Sequence, residues 1–116
     1  MYIIVNNNLN MQKGKLAAQT SHAACRVTRI LHNQGNTSYN NWLRDGEAKI
    51  VLKATEEEML FLINKYDNSK TKEVNRCVSV HDAGKTQIPS GSLTAIGFFP
   101  VLKIHAPEEI KKFKLL

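Results

Sequence analysis

Four short apolar runs divide the chain, and they restrict the possible folds more than any other feature of the sequence. Each run is rich in β-branched or aromatic residues and is bounded by polar residues, glycine or proline, as β-strands are. The predicted strands cover residues 2–5, 48–54, 74–80 and 93–99. All four are far shorter than the ~18 apolar residues of a membrane-spanning helix, so no membrane span is expected.

Helical periodicity fills the segments between these runs. Apolar or small residues recur every three or four positions from 15 to 32, which predicts a helix with one packed face. These residues are Leu16, Thr20, Ala23, Val27 and Leu31. Thr55 followed by Glu58 has the pattern of a capping box and predicts a second helix, with Leu60 on its apolar face. A short helix around Trp42 and a C-terminal helix beginning at Pro107 are also predicted.

The order of these elements is β-α-α-β-α-β-β-α. Such an order predicts an α/β fold, a three-layer α/β/α sandwich with a small four-stranded mixed β-sheet. A length of 116 residues is typical of one domain, so residues 1–116 are predicted to form a single domain. With 42% hydrophobic and 22% charged residues, the composition argues against extensive disorder.

Basic side chains outnumber acidic ones, with 16 Lys and Arg against 10 Asp and Glu and a net charge of +6. This surplus favours a polyanionic partner, with nucleic acid ahead of an anionic membrane. A surface that is merely basic would give the same count. The N-terminus lacks the basic and long apolar segments of a signal peptide, so a cytoplasmic location is expected.

The two cysteines, Cys25 and Cys77, form no CxxC pattern and have no clustered histidines, so neither a metal site nor a disulfide framework is expected. His22 lies three residues before Cys25, and the pair could form the thiol and base of a cysteine hydrolase. Cys25 lies among alanines, however. A buried small hydrophobic residue is the favoured interpretation of both cysteines.

The first predicted helix carries a second stripe beside its apolar face. Its members are spaced four, three, four and three residues apart, which places them on one helical face. They are Lys15, Gln19, His22, Arg26 and Arg29. A basic ridge that begins at a helix N-terminus suits an anionic ligand. The alternative is an ordinary solvated helix face.

The segment 81–92 is the densest polar stretch in the chain. It contains Asp82, Lys85 and Thr86, two glycines and further hydroxyls, and it is longer than most hairpin loops. It is either a functional loop or a loop whose polar side chains cap its own turns. Its Gly-Lys-Thr sequence is not a P-loop, because Ser79 stands where that motif requires glycine.

Two motifs, in this order, resemble those of the type II peptidyl-tRNA hydrolases. The first is GKxAAQxSHAA at residues 14–24, and the second is DAGxTQIxxGSxT at residues 82–94. Trp42 and the KIVLKA of residues 49–54 also match. The resemblance extends in order from residue 2 to residue 116.

The resemblance implies an enzyme that hydrolyses the ester between a peptide and the 3′ ribose of tRNA, so that tRNA from prematurely released peptidyl-tRNA is recycled. It also implies a four-stranded mixed sheet between helices, a frequent homodimer, tRNA as partner, and neither a metal nor an organic cofactor. The positions tied to activity in such enzymes correspond to Lys15, Asp82, Thr86 and Thr94. The residues expected to contact the substrate are Lys13, Gln19, His22, Arg26, Arg29, Lys85 and Gln87.

Ester hydrolysis needs an activated water and donors for the developing oxyanion. Under the resemblance, Asp82 would activate or orient the water, and Lys15 would stabilise negative charge. The hydroxyls of Thr86 and Thr94 would position the water or donate to the carbonyl oxygen. Arg26, Arg29 and the lysines near the C-terminus would hold the acceptor stem through its phosphates.

The sequence departs from the family pattern in two places. Asn6 and Asn8 replace an arginine and an aspartate, which predicts a lost salt bridge or contact, and Phe99 replaces a glycine before a proline. One alternative to an enzyme is a non-catalytic RNA- or protein-binding module. Another is an adaptor with an exposed apolar patch at Phe98 and Phe99. These rings and Trp42 could also stack on bases, or they could belong to the core.

Overall fold

The computed structural model of the protein describes residues 1–83, 88–89 and 91–116. The strands found there are β1 (Tyr2–Asn6), β2 (Ile50–Ala54), β3 (Cys77–His81), β4 (Leu93–Phe98) and β5 (Lys114–Leu115). The α-helices are α1 (Lys13–Leu31), α2 (Thr37–Arg44) and α3 (Glu56–Tyr66). Short 3-10 turns cover Asn7–Leu9, Lys103–His105 and Glu108–Lys112.

The strands form one mixed sheet in the order β3-β4-β1-β2-β5. β1 pairs in parallel with β2, and α1 and α2 form the crossover connection that parallel pairing requires. β4 runs antiparallel to both β1 and β3. As a result β1, β2 and β3 end, and β4 begins, at one edge of the sheet, which we call the carboxyl edge.

Helices cover both faces of the sheet, which confirms the predicted three-layer sandwich. On one face, α1 and α2 pack over a core cluster that includes Ile3, Val27 and Tyr39. On the other face, α3 packs over a cluster that includes Ile4 and Met59. β1 contributes to both clusters because successive residues of a strand point to opposite faces. Its apolar run is therefore the centre of the fold.

The C-terminal segment differs from the prediction. Pro107 precedes a 3-10 turn rather than an α-helix, and the chain then extends into β5, which pairs antiparallel with β2. The sheet therefore has five strands instead of four. The apolar side chains of Ile110 and Phe113 pack against the α3-side core, and this packing docks the segment along β2.

The capping box of α3 is confirmed. The Thr55 hydroxyl accepts a hydrogen bond from the Glu58 N–H over 3.2 Å, and Glu58 Oε1 accepts one from the Thr55 N–H over 2.9 Å. The predicted apolar face of α3 is wrong at Leu60, which is 53% exposed. Only one side of α3 faces the sheet, and Met59 and Leu62 occupy it.

The aromatic residues considered for base stacking are buried or partly buried. Phe98 and Phe99 are 1% and 3% exposed, so they belong to the core and form no exposed apolar patch. Trp42 packs partly buried against the α1-side core. In the described part of the chain, no helix is long and apolar enough to cross a membrane.

Candidate active site

The side chains of Lys15 and Asp82 form a buried ion pair at the carboxyl edge. Lys15 lies in the first turn of α1, and Asp82 directly follows β3. Lys15 Nζ donates to Asp82 Oδ1, and the two side chains are only 8% and 3% exposed. The Asp82 N–H donates to the Ser92 carbonyl, and the Asp82 carbonyl accepts from the Gly91 N–H, both over 2.9 Å. These bonds fix the aspartate where β3 meets the segment that enters β4.

A second buried polar pair lies one turn further along α1. Thr94 Oγ1 donates to Gln19 Oε1 over 2.5 Å and lies 3.2 Å from the Val80 carbonyl oxygen. Thr94 is 0% exposed and Gln19 is 4% exposed. Because Lys15 and Gln19 are four residues apart on a helix, the two pairs are neighbours. The structure therefore brings together Lys15, Gln19, Asp82 and Thr94.

A β-bulge places the Thr94 side chain on the α1 face of the sheet. Val80 is opposite Ala95, but His81 is opposite Leu93, so Thr94 is an extra residue on β4. Ala95 packs in the α1-side core and Leu93 in the α3-side core. In a regular strand Thr94 would point away from the face that holds Ala95. The bulge instead places both residues on the face covered by α1.

A close contact between α1 and β4 sets the position of the helix. A Cβ atom at Gly97 would lie 2.9 Å from Val27 Cγ2 and 3.0 Å from the Ala23 carbonyl oxygen. Only a residue without a side chain permits this approach. The close packing brings Lys15 and Gln19 within reach of the residues at the carboxyl edge.

The polar stripe of α1 is not a uniformly solvated face. Besides the contacts of Lys15 and Gln19, Arg26 Nη1 donates to the Ser79 carbonyl of β3 over 3.0 Å. The exposed members of the predicted set on α1 are Lys13, His22 and Arg29. The predicted site residues that lie outside the described residues are Lys85, Thr86 and Gln87.

Asn6 adds a buried amide to the same edge, and the sequence analysis did not identify it as part of the site. Asn6 Nδ2 donates to the Leu93 carbonyl over 2.8 Å and to Glu56 Oε1 over 3.1 Å. Asn6 Oδ1 accepts from the Asn8 N–H over 2.9 Å, and Asn8 Oδ1 accepts from the Glu56 N–H over 2.7 Å. The two asparagines thus make contacts of their own, where a loss was predicted. The sequence signal that could have identified Asn6 is the run of consecutive asparagines at the end of a buried strand.

The two cysteines differ in exposure, and no hydrogen bond joins Cys25 to His22 in the part of the chain that the structure describes. Burial raises the pKa of Cys77 to about 12, and the charge of Asp67 adds to this effect, so Cys77 remains a thiol. Cys25 is exposed, so the prediction that it is buried was wrong, because it lies on the side of α1 away from the sheet. Among the described residues, no group of three or more His, Cys, Asp and Glu could hold a metal ion.

The arrangement at the carboxyl edge combines the groups that acyl chemistry requires. A carboxylate can accept a proton from water, and an ammonium or amide N–H can stabilise an oxyanion. Both kinds of group are largely withdrawn from solvent, which strengthens their electrostatic interactions. They lie where β3 ends and β4 begins.

Comparison with known proteins identifies the family of the chain. Residues 1–116 match the family described as Peptidyl-tRNA hydrolase PTH2. A protein named peptidyl-tRNA hydrolase from Methanococcus maripaludis strain C6 is 39% identical over 98% of this chain and 96% of its own length. Relatives with the same name from Methanococcus vannielii and Saccharolobus islandicus are 38% and 36% identical, over 98% and 95% of this chain and 96% and 88% of their own lengths. The chain belongs to the PTH2 family of peptidyl-tRNA hydrolases.

Proposed function

We propose that this protein hydrolyses the ester that joins a peptide to the 3′ ribose of tRNA and thereby frees the tRNA for reuse. The observation that carries the proposal is the juxtaposition of two buried polar pairs on one face of the sheet, Lys15 with Asp82 and Gln19 with Thr94. The net charge of +6 supports a polyanionic substrate. Family membership supports the same reaction.

In the proposed reaction, Asp82 accepts a proton from a water molecule as that water attacks the ester carbonyl carbon. The new bond joins the water oxygen to the carbonyl carbon and creates a tetrahedral oxyanion. The bond from this carbon to the 3′ oxygen of the ribose then breaks, and the ribose oxygen takes up the proton. The products are a peptide with a free carboxylate and an intact tRNA.

The other residues of the cluster have supporting roles in this proposal. The Lys15 ammonium, already paired with Asp82, stabilises the negative charge that develops on the carbonyl oxygen or on the terminal phosphate. The Thr94 hydroxyl is fully buried and donates to Gln19, so we assign Thr94 the task of orienting the Gln19 amide toward the substrate. Thr86 remains a proposed donor to water or to the carbonyl oxygen.

Contacts to the RNA backbone are proposed for exposed side chains along α1. Lys13 and Arg29 are exposed there, and His22 lies between them on the helix. One nitrogen of Arg26 is occupied by the Ser79 carbonyl, but a guanidinium has five N–H donors and can contact a phosphate at the same time. Lys85 and Gln87 complete the proposed set of substrate contacts.

The proposal is tested by release of tRNA from an N-blocked aminoacyl-tRNA, in buffer that contains a metal chelator. Asp82→Asn should lower kcat on the order of 10²- to 10⁴-fold, the usual contribution of a general base, while tRNA affinity changes little. Asp45→Asn is the matched control, because Asp45 is exposed at the C-terminus of α2. It should retain full turnover.

The buried ion pair requires a control for folding. Removing one charge of such a pair leaves the other without its partner and costs about 3–5 kcal/mol, whereas removing both is far less damaging. The double variant Lys15→Gln with Asp82→Asn should therefore be more stable than Asp82→Asn alone, yet equally inactive. Full turnover by the folded double variant would contradict the assignment. Binding of tRNA without turnover by the wild type would instead favour the non-catalytic RNA-binding module.

Four finer features remain part of the proposal. We propose that residues 1–116 act as one domain, that the protein forms a homodimer, and that it works in the cytoplasm without a metal or organic cofactor. Sedimentation velocity at micromolar concentration tests the dimer, and cell fractionation tests the location. Loss of turnover in the chelator, restored by a divalent cation, would contradict the absence of a cofactor.

A further inference from the structure

A cavity lies at the end of the sheet opposite to Asp82. Its volume is about 200 Å³, and it is enclosed by the first residues of α2, the segment that leads into β3, and the chain after β4. Two basic side chains, Lys72 and Arg76, line it together with the residues Thr37 and Ser38. The mechanism proposed above uses none of these residues.

The guanidinium of Arg76 is held in place but incompletely paired. Its central carbon lies 5.0 Å from the centroid of the Phe99 ring, which is itself only 3% exposed. Its Nε is buried and has no hydrogen-bond partner among the described groups. Among the described residues, neither Arg76 nor Lys72 forms an ion pair with a carboxylate. A buried donor without a partner is costly, and the side chain that carries it also lines the cavity.

The cavity and the active site lie at the two ends of the same helix. α1 begins beside Asp82 and ends at Leu31, five residues before Asn36 at the cavity. Arg76 precedes β3 and Asp82 follows it, so six residues of extended chain, about 20 Å, separate the two. The exposed Arg29 lies near the cavity end of this path, in the last turn of α1.

We propose that the cavity binds a backbone phosphate of the substrate tRNA, about six nucleotides from the ester, since a stacked strand advances ~3.4 Å per nucleotide. This inference rests on the proposed function. Arg76 supplies a planar, permanently charged group that binds phosphate oxygens, already oriented by its stacking on Phe99. Lys72 adds a second charge, and the hydroxyls of Thr37 and Ser38 can donate to the remaining phosphate oxygens.

The test compares a full-length substrate with a short one. An N-blocked aminoacyl-tRNA reaches both sites, whereas an N-blocked aminoacyl-trinucleotide reaches only the active site. Arg76→Gln and Lys72→Gln should each raise KM for the tRNA substrate on the order of tenfold, as expected for loss of a charge-assisted hydrogen bond. Both should leave the trinucleotide reaction unchanged. Arg44→Gln, which removes an exposed arginine in the last turn of α2, is the charge-matched control and should change neither reaction.

Salt dependence provides a second measurement that a loss of packing would not change. The slope of log Kd for tRNA against log salt should become shallower by about 0.9 in Arg76→Gln, which is the value for one lost phosphate contact. The Arg44→Gln slope should equal that of the wild type. If Arg76→Gln does not fold, Lys72→Gln provides the test. Lys72 is exposed, so its replacement should not disturb the fold.

Three results would overturn the inference. The first is an unchanged KM for the tRNA substrate in both variants. The second is an equal effect on the short and the long substrate. The third is that inorganic phosphate changes trinucleotide hydrolysis by the wild type but not by Arg76→Gln. That result would identify the cavity as a site for free phosphate. If the wild type hydrolyses neither substrate, the proposed function fails. The salt dependence of the Kd for tRNA then tests by itself whether the cavity binds a tRNA phosphate.

Discussion

Gly97→Ala is expected to destabilise the protein by pushing α1 away from β4. The added Cβ would lie 2.9 Å from Val27 Cγ2 and 3.0 Å from the Ala23 carbonyl oxygen, whereas ordinary contacts are 3.4–4 Å. One of these atoms belongs to the main chain of α1, so a change of rotamer at Val27 cannot relieve both contacts. Gly97 does not have the positive φ that favours glycine, so the effect would come from crowding alone.

The size of the effect follows from the cost of overpacking. Forcing an extra methyl group into a well-packed core costs about 1–3 kcal/mol. With a urea m-value of about 1–3 kcal/mol/M, the midpoint of unfolding should fall by roughly 1 M. Val27→Ala removes the 2.9 Å contact but leaves the one with the Ala23 carbonyl. The double variant should therefore be more stable than the sum of the two single effects predicts, by about 0.5–1.5 kcal/mol.

Urea unfolding followed by circular dichroism measures these differences. Gly14→Ala is the matched control, because nothing lies within 4 Å of its added Cβ and the residue is in the first turn of α1. Its stability should stay equal or rise by up to about 1 kcal/mol. Turnover should fall in Gly97→Ala, because the same helix carries Lys15 and Gln19. If Gly97→Ala is as stable as the wild type, or if its effect simply adds to that of Val27→Ala, the argument from close packing is refuted.

Further predictions concern thiol reactivity, helix capping and RNA binding. A maleimide at pH 7.5 should label Cys25 but not Cys77 in the native protein, and both in urea, because Cys77 is buried with a pKa of about 12. Thr55→Ala should cost about 1 kcal/mol in urea unfolding, because it removes an N-cap. The hydrogen bond from the Thr55 N–H lowers the pKa of Glu58 in the folded protein. The ionised carboxylate of Glu58 therefore stabilises the fold fully above the usual pKa of a glutamate. This stabilisation is lost as the pH falls through the lowered pKa. Glu58→Gln should therefore weaken the acid dependence of stability. Arg29→Gln should make the salt dependence of tRNA binding shallower by about 0.9 on the logarithmic scale.

Local signals in the sequence were sufficient for most of the fold. The capping box at Thr55 and Glu58 is a contact within one turn, and the sequence alone specifies both partners. The apolar runs predicted four strands because β-branched residues favour a half-buried pleated surface. β5 was missed because its two residues are exposed and its only strand-like property is the pairing with β2, which depends on distant packing at Ile110 and Phe113.

The candidate site was predictable as a set of residues but not as a geometry. The spacing of Lys15 and Gln19 follows from helical periodicity. Their partners, Asp82 and Thr94, lie 67 and 75 residues away along the chain, and no local pattern specifies those contacts. The orientation of Thr94 is a particular example, because strand alternation would have placed it on the α3 face. The bulge that reverses it is a property of the β3–β4 pairing and has no signature in either strand alone.

The asparagines at the end of β1 help to hold this bulge in position. A buried arginine can only donate hydrogen bonds, and a carboxylate can only accept them, whereas one asparagine side chain does both. Asn6 uses this property fully, since its Nδ2 donates to the Leu93 carbonyl and to Glu56, and its Oδ1 accepts from the Asn8 N–H. Leu93 directly precedes the bulged Thr94, so Asn6 ties the start of β4 to the end of β1 and to the first turn of α3. Through the Leu93 carbonyl and the Glu56 carboxylate, this single uncharged amide therefore holds together the ends of three elements at the carboxyl edge.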